Sequence, residues 1–546
     1  MAEHGEFLER LETLNAIGVA LSSERDTDSL LERILEAARE FADADGGTLY
    51  RVVDDQLTFE VLRNDSLGYC MGGQRGTPIN FPPLPLFLAD GKPNESLVVA
   101  QAALTGRTIN IPDAYEAEGF DFSGTRAFDQ RTGYRSKSFL TVPMKDHESK
   151  VIGVLQLINA KDARGEVTPF SLEDQQLVES LASQAAIVLT NRLLIKQMED
   201  LFESLINLIN SALDEKSPYT GGHCERVPML TMMLAEAADR HEDGPLAEFK
   251  MTEKDRYELK IAGLLHDCGK ITTPVHVVDK ATKLETIFDR VHLLDARFEI
   301  ALRDAEIAHL LGQLGQADYE RTIAELKSDR AFCREINIGG EFMADDKIAR
   351  VKAIAERRWK NSDGEELPFL SDNEVENLCI RKGTLTGDER EIINHHIVMT
   401  IRMLEALPWP AHLTNVPEYA GGHHERMDGK GYPKGLTRDQ MSVQARVMGI
   451  ADVFEALTAA DRPYKLGKTL SESIRILGFM CRDHHIDPDL FDVFLRERVY
   501  LEYADRFLPA SQIDAIDWAG IAGISPELAA WLAEQDRINP PKAKAD

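Results

Sequence analysis

A heptad repeat near the middle of the chain constrains its fold more than any other sequence feature. Spacing in alternating steps of four and three over more than three repeats predicts a continuous helix with one seam toward a partner. The seam positions are Ile187, Asn191, Leu194, Met198, Leu201, Leu205, Leu208 and Ala212. A polar residue such as Asn191 in a seam favours a two-stranded state with a fixed register.

Residues 187–212 are therefore expected to form a coiled-coil signalling helix within a parallel homodimer. The alternative is that this stripe packs against the protein's own domains. A helix between two halves can transmit a rotation or a shift from a sensor to the domain that follows it.

The charge of the chain limits its partners. Its 546 residues carry a net charge of −30, with 43% hydrophobic and 28% charged residues, a composition typical of folded domains. So acidic a chain repels the phosphates of a polymeric nucleic acid, which is therefore not an expected partner. A small anionic ligand is compatible with this charge, because a few local cations or metal ions can hold it.

The sequence predicts a cytoplasmic protein without membrane insertion. No segment approaches the roughly 20 apolar residues of a spanning helix, and the first residues lack the apolar stretch of a secretory signal. The six cysteines are scattered without a Cys-x-x-Cys pair, which argues against a disulfide framework and a thiolate zinc site.

The N-terminal half alternates helix and strand patterns. Residues 7–42 have helical spacing with a polar break at 22–28. Two pairs of strand-like segments follow, each pair joined across a short polar turn: 46–53 with 57–63, and 138–144 with 150–160. A helix from Ser171 to about Ala186 closes the unit. This pattern predicts an α/β domain of the size of a sensor.

Two stretches of this half resemble the GAF family: PMKDHESKVIGVLQLINAKD at 143–162 and PFSLEDQQLVESLASQAAIVLTNRLL at 169–194. The resemblance covers about residues 20–195. It implies an antiparallel sheet with flanking helices that often binds a small ligand, commonly a cyclic nucleotide, and often dimerises. The segment 128–134 is similar to part of the signature of the members that bind cyclic nucleotides. A bound cyclic nucleotide and a role in dimerisation alone both stay open.

Histidines and carboxylates concentrate in five short motifs of the C-terminal half, mostly on helical sequence. The motifs are TGGHCER at 220–226, LLHDCGK at 264–270, HH at 395–396, AGGHHERMDGKGYP at 420–433, and GIADVFEAL at 449–457 followed by DRPY at 461–464. An unpaired histidine or aspartate is costly to bury on an apolar helix. The concentration of these residues in five motifs therefore indicates that they share a common function.

Metal coordination supplies that function. Imidazoles suit iron, manganese, zinc, cobalt or nickel, and adjacent His266 and Asp267 offer a nitrogen to one ion and a bridging carboxylate to a second. Two ions about 3.5 to 4 Å apart can hold a hydroxide between them and clamp the phosphoryl oxygens that it attacks. The expected reaction is phosphodiester hydrolysis.

In this order the motifs resemble the HD-GYP family, a branch of the HD-domain metal-dependent phosphohydrolases. HDCGK at 266–270 matches the HD signature, and HHERMDGKGYP at 423–433 matches the GYP signature. The resemblance covers about 213–285 and 375–500. It implies an all-α domain that hydrolyses cyclic di-GMP to linear pGpG, and in some members to GMP, at a site of two or three metal ions, frequently iron or manganese.

The resemblance also implies roles for individual residues. The implied metal ligands, with Asp267 as the catalytic bridge, are His223, His266, Asp267, His396, His423, His424 and Asp452. Lys270 and Arg462 would contact the substrate phosphates, and Gly431 and Tyr432 would shape the pocket.

Neighbours of these residues receive other roles. His396, rather than His395, occupies the place of the family's single histidine. Arg226, Glu425 and Arg426 are expected to be structural residues that form salt bridges.

Three features depart from the family pattern. Tyr219 stands where members with three metals carry a glutamate, so two ions are expected. Arg462 lies one residue further from Asp452 than usual, which weakens its assignment to phosphate. Residues 286–375 interrupt the domain with charged amphipathic helices that could cap the pocket, extend the dimer or dock a partner. His292 and His309 lie within this insertion and are assigned to packing or solvent.

The expected architecture is an α+β multidomain chain: a GAF sensor at 1–195, the signalling helix, an HD-GYP domain at 213–500 and a helical tail at 501–546. The leading hypothesis is a sensor-regulated cyclic di-GMP phosphodiesterase. A second hypothesis changes the substrate to another cyclic dinucleotide such as cyclic GMP-AMP, or to a different phosphoester. A third is a non-catalytic module that binds a dinucleotide or a partner protein.

Overall fold

The computed structural model describes residues 16–21, 24, 26–216, 222–340, 342–460 and 467–538. The chain forms two compact units that divide between Phe202 and Glu203. Within the described ranges, no helix combines the length and the apolar character needed to cross a membrane.

An antiparallel sheet is the framework of the N-terminal unit. Its strands are β1 (Ala44–Val53), β2 (Gln56–Asn64), β3 (Tyr69–Gly72), β4 (Leu84–Pro85), β5 (Ile109–Ile111), β6 (Phe139–Lys145), β7 (Val151–Lys161) and β8 (Val167–Thr168). The order is β3-β2-β1-β7-β6-β5, with β4 beside β2 and β8 beside β7. The flanking helices are α1 (Thr27–Phe41), α2 (Val98–Thr105) and α3 (Ser123–Thr132), and residues 16–21 are also helical.

Alternation of side chains along the strands produces a core on each face of this sheet. Leu49 and Leu155 lie in one core with the buried face of α1, whereas Tyr50 and Val154 lie in the other with Val99 of α2. Asp54 and Asp55 form the two-residue turn between β1 and β2, and both have positive φ, 46° and 59°, as a type I′ hairpin turn requires. The predicted antiparallel sheet with flanking helices is confirmed.

A single helix, α4 (Leu172–Lys216), of 45 residues follows the sheet. It joins what the sequence suggested as two helices, 171–186 and 187–212. Ser171 and Asp174 exchange hydrogen bonds of 3.0 Å at its start, as in a capping box. The heptad seam is exposed, with Met198 at 71% and Leu208 at 65%.

The C-terminal unit is mostly helical. Its helices are α5 (His223–Arg240), α6 (Glu253–Leu265), α7 (Val275–Val278), α8 (Val291–Leu310), α9 (Gln316–Asn337), α10 (Asp345–Ala355), α11 (Asp372–Leu378), α12 (Gly387–Glu405), α13 (Val416–Gly421), α14 (Val443–Thr458), α15 (Leu470–Arg482), α16 (Pro488–Arg496), α17 (Val499–Phe507) and α18 (Pro526–Ile538). Short 3-10 helices are Gly244–Leu246, Cys268–Thr272, Arg438–Gln440, Ala510–Gln512 and Trp518–Gly520.

The inserted segment has a core of its own. Phe298 of α8, Phe332 of α9 and Phe369 lie in one buried cluster. A two-stranded hairpin that the sequence did not predict, β9 (Arg358–Lys360) with β10 (Glu366–Pro368), accompanies these helices.

Candidate metal centre

His266 and Asp267 follow directly after α6. Thr252 and Asp255 form a capping box at the start of this helix. The ring of His266 is fully buried, and its Nδ1 lies 2.7 Å from the carbonyl oxygen of Gly263. This contact places the proton on Nδ1 and leaves the lone pair on Nε2, which is the arrangement of a histidine that binds a metal ion.

His396 on α12 and His423, in the turn that follows α13, repeat this arrangement. Nδ1 of buried His396 lies 2.5 Å from the carbonyl oxygen of Ile393 in α12, and Nδ1 of buried His423 lies 2.6 Å from that of Ala420 in α13. Their Nε2 atoms therefore also carry free lone pairs. His395, by contrast, has an exposed side chain.

These rings converge on the carboxylate of Asp267. Its Oδ2 lies 3.1 Å from Nε2 of His223 and 3.3 Å from Nε2 of His266. Its Oδ1 lies 3.2 Å from Nε2 of His396, which in turn lies 3.3 Å from Nε2 of His424. Asp267 thus stands between two groups of side chains.

Both groups have the geometry of a cation site. His223, His266 and Asp267 offer ligand atoms within 4.8 Å of one another, and so do His396, His423 and His424. Asp452 of α14 extends the first group, with its Oδ1 3.4 Å from Nε2 of His223. All seven ligands that the resemblance implies therefore lie together.

The atoms that face one another in this cluster fit metal ions and do not satisfy one another. Oδ1 of Asp267 and Nε2 of His423 are buried and have no hydrogen-bond partner. Nε2 of His396 carries a lone pair and lies 3.2 Å from Oδ1 of Asp267, and two acceptors that face each other need a cation between them.

Burial and neighbouring charges set the protonation of the cluster. Burial raises the pKa of Asp267, but Lys270 and His266 outweigh burial and hold that pKa well below its usual range. Burial, with a contribution from His266, lowers the pKa of His423 to about 4. This aspartate is therefore a carboxylate and His423 a neutral imidazole at pH 7, as metal ligands must be.

Glu455 is a partner of the site that the sequence alone did not single out. Its Oε2 lies 2.5 Å from Nδ1 of His223, and its Oε1 accepts a hydrogen bond of 2.7 Å from Nε of Arg226. In the absence of a metal ion, burial lowers the pKa of His223, but hydrogen bonds with Asp267 and Glu455 outweigh it and raise that pKa to about 9. A bound cation would displace the proton from Nε2. The spacing of Glu455, three residues after Asp452 on α14, was the available signal.

The residues implied for the substrate lie beside the cluster. Nζ of Lys270 lies 2.5 Å from Oδ2 of Asp267. The ring of Tyr432 stacks on that of His424, with centroids 4.8 Å apart and an interplanar angle of 20°. A Cβ on Gly431 would lie 2.4 Å from the backbone nitrogen of Arg426, so only glycine fits there.

A cavity of about 450 Å³ opens next to these residues, and Lys430, Tyr432 and Asp452 are among those that line it. Arg462 and Tyr219 lie outside the described residues.

The residues expected to be structural have the following partners. Arg226 pairs with Glu455, and Nη2 of Arg426 lies 3.2 Å from Asp428. Glu425 is buried and accepts hydrogen bonds of 2.7 and 2.9 Å from the backbone nitrogens of Lys434 and Leu436. It therefore holds the loop that carries Tyr432, and it forms no salt bridge with another described residue.

Two histidines of the insertion lie apart from the cluster. His309 binds the carbonyl oxygen of Leu314 through Nδ1 at 2.9 Å and stacks on Tyr319, and His292 is at the start of α8. Neither belongs to a group of possible metal ligands among the described residues.

Family models match both units of the chain. A model of the GAF domain matches residues 26–189, and two models of the HD domain match residues 220–327 and 372–490. The chain carries a GAF domain followed by an HD domain. The HD matches contain His223, His266, Asp267 and the three histidines of the second group.

The chain is similar in part to several bacterial phosphodiesterases. A 3'3'-cGAMP-specific phosphodiesterase of Vibrio cholerae is 44% identical over 15% of this chain and 19% of its own length. A cyclic di-GMP phosphodiesterase of Pseudomonas aeruginosa is 37% identical over 21% of this chain and 27% of its own length. One of Thermotoga maritima is 33% identical over 22% of this chain and 32% of its own length. The chain thus spans less than a third of each of these relatives.

Proposed function

We propose that this chain is a sensor-regulated, metal-dependent phosphodiesterase of the HD-GYP type that hydrolyses cyclic di-GMP to linear pGpG. The observation that carries the proposal is the position of Asp267, whose two carboxylate oxygens face two separate groups of buried imidazoles. The similarity to bacterial phosphodiesterases of cyclic dinucleotides supports the same conclusion.

The proposed ligands would hold two divalent ions. His223, His266 and Asp452 would hold one ion, the three histidines of the second group the other, and Asp267 would bridge them. When bound, the ions would activate water for attack on phosphorus and offset charge on the phosphoryl oxygens. Iron or manganese is the proposed metal because imidazole and carboxylate ligands suit both. A third ion is not proposed, since Tyr219 offers no carboxylate in the place of the family's glutamate.

The remaining side chains would bind and orient the substrate. Lys270, with Arg462 of the motif at 461–464, would contact the two phosphates, where fixed cations stabilise the charge that develops during the reaction. Tyr432 stacks on His424 and lines the cavity, so it is proposed to orient a base of the dinucleotide. Glu455 would fix the orientation of His223.

The N-terminal unit and α4 are the proposed regulatory parts. The exposed seam, for example Met198 and Leu208, supports a parallel homodimer through residues 187–212. In the segment 128–134, buried Asp129 binds Tyr115 and Ser136 within the same unit. Because these hydrogen bonds already occupy Asp129, we propose that the GAF domain serves in dimerisation rather than in binding a cyclic nucleotide.

A second cyclic dinucleotide is a candidate substrate. The relative that is 44% identical over 15% of this chain is named as specific for 3'3'-cGAMP. The ligand cluster determines the reaction, whereas the wall of the cavity determines which base fits, so cyclic GMP-AMP is the alternative substrate.

Purified, metal-loaded protein assayed with cyclic di-GMP and with 3'3'-cGAMP in parallel tests the proposal. We expect hydrolysis of cyclic di-GMP with the larger kcat/KM. A larger kcat/KM for 3'3'-cGAMP would select the alternative substrate. Metal-loaded protein that binds a dinucleotide and hydrolyses neither would contradict an enzyme and indicate a binding module.

A further inference from the structure

The last residue of α4, Lys216, binds the backbone next to the candidate metal centre. Its ammonium donates to the carbonyl oxygens of Lys270 at 3.2 Å, of Ile271, and of Thr273 at 2.6 Å. A lysine ammonium has three N–H donors. All three are used here on one short turn of backbone.

That turn is the 3-10 helix Cys268–Thr272, which begins directly after Asp267. Carbonyl groups at the C-terminal end of a helix lack donors within the helix and carry partial negative charge. Lys216 therefore stabilises this end. The same short helix carries Lys270, whose ammonium contacts the carboxylate of Asp267 at 2.5 Å.

The same turn also contacts α12. The backbone nitrogen of Gly269 donates to Oγ1 of Thr400 at 3.0 Å. A Cβ on Gly269 would lie 2.0 Å from the carbonyl oxygen of His396, so the turn has no room to move toward α12. The turn is therefore held by both α12 and Lys216.

A second residue of the same helix end supports this arrangement. Leu213 is only 5% exposed. It lines a narrow cavity together with Lys216, His223, Asp267 and Lys270. The last turns of α4 thus lie directly against the candidate metal centre.

We propose that Lys216 is a positioning residue of this centre: by holding the carbonyl groups of residues 270, 271 and 273, it sets the positions of Lys270 and Asp267. The kinetic part of this inference rests on the proposed function, whereas the metal-binding part does not. Because Lys216 ends α4, a movement of that helix would reach the centre through this contact.

Lys250 offers a matched control in the same unit. Its ammonium also donates to two carbonyl oxygens at the end of a helix, those of Asp239 at 2.5 Å and His241 at 3.1 Å. No residue of the candidate centre takes part in that contact. Replacement of either lysine by methionine keeps the apolar stem and removes the charge and the donors.

The test compares the full chain with Lys216→Met, Lys216→Arg and Lys250→Met, by Mn²⁺ titration of the metal-free protein, thermal unfolding and steady-state kinetics. We expect Lys216→Met to weaken Mn²⁺ binding about tenfold, as loss of a supporting partner does, and to raise KM because Lys270 is displaced. In Lys216→Arg, Mn²⁺ affinity and KM should both lie between those of Lys216→Met and the wild type, since a guanidinium also donates to carbonyl groups. We expect Lys250→Met and Lys216→Met to lower the Tm to a similar extent. Lys250→Met should leave Mn²⁺ affinity unchanged.

Equal Mn²⁺ affinity of Lys216→Met and Lys250→Met would overturn the inference. If Lys216→Met does not fold, Lys216→Gln takes its place, and wild-type Mn²⁺ affinity in that variant overturns the inference equally. If the wild type hydrolyses neither cyclic di-GMP nor 3'3'-cGAMP, the proposed function fails, and the Mn²⁺ titrations alone decide the role of Lys216.

Discussion

The GAF and HD domains both bury polar side chains, but they do so in different ways. In the GAF domain, buried Asp129 accepts hydrogen bonds of 2.8 Å from Tyr115 and from the hydroxyl and backbone nitrogen of Ser136. Asn159 accepts from the backbone nitrogens of Lys137 and Ser138. In this network the polar atoms supply one another's partners.

The histidine and aspartate cluster of the HD domain contains buried atoms without such partners. Nε2 of His396 and Oδ1 of Asp267, both acceptors, lie 3.2 Å apart, and Oδ1 of Asp267 and Nε2 of His423 have no hydrogen bond. A satisfied network holds a fold together, whereas buried groups that lack partners indicate a ligand that completes them. The comparison therefore assigns a structural role to the first network and a binding role to the second.

The largest effect is expected from His423→Ala. This change removes a proposed ligand from the second group, so metal content should fall from about two ions per chain to one or none, and kcat/KM for cyclic di-GMP should fall about a thousandfold or more. Elemental analysis and kinetics on the same preparation measure both quantities. Full metal content in this variant would break the assignment of a binding role to the unsatisfied cluster.

A smaller effect is expected from Glu455→Gln. The amide is a weaker acceptor for the Nδ1–H group of His223, so it orients the ring less firmly and makes Nε2 a weaker ligand, and metal affinity should fall about 10- to 100-fold. Glu258→Gln is the matched control, because Glu258 is also buried on a helix of the HD domain and accepts hydrogen bonds from Asn415. Equal Mn²⁺ affinities of the two variants would show that Glu455 has only a structural role.

In the GAF domain, Asp129→Asn is expected to change stability alone. The amide nitrogen cannot accept the hydrogen bonds of Tyr115 and Ser136, so the free energy of unfolding should fall by about 1 to 3 kcal/mol. Denaturant titration of the full chain measures this loss. Metal content should equal that of the wild type, and a lower metal content would show that the two kinds of polar network are not separate in function.

The smallest effect is expected from His395→Ala. His395 precedes His396 in the sequence, but its side chain is exposed, so metal content and kcat/KM should stay within about twofold of the wild type. His396→Ala is the paired variant and should lose metal. Loss of metal in His395→Ala but not in His396→Ala would show that His395, rather than His396, is the metal ligand.

Local sequence was sufficient for the candidate ligands and much of the fold. Candidate ligands such as His266, Asp267 and His423 sit in short motifs, and the fixed spacing of helix and loop residues makes such motifs recognisable. The four longest strands of the GAF sheet, β1, β2, β6 and β7, were predicted because they are rich in β-branched and aromatic residues and are joined in pairs by short polar turns.

Partners that are distant in sequence were not predictable in the same way. Glu455 contacts His223, which lies 232 positions away, and its role depends on how α5 and α14 pack. Lys216 binds backbone carbonyl groups, which have no sequence signature. The hairpin of β9 and β10 consists of short, charged, largely exposed strands, and these lack the run of β-branched and aromatic residues that indicates a strand.

The bridging role of Asp267 is tested most directly by the wild type and Asp267→Ala. Metal content and cyclic di-GMP hydrolysis are measured on the same preparations of each. If Asp267 bridges two ions that carry out phosphodiester hydrolysis, the wild type will contain about two ions per chain and hydrolyse the substrate, and the variant will lose metal and activity together. Hydrolysis by Asp267→Ala at the wild-type rate would contradict the proposed role of Asp267 in metal binding and catalysis.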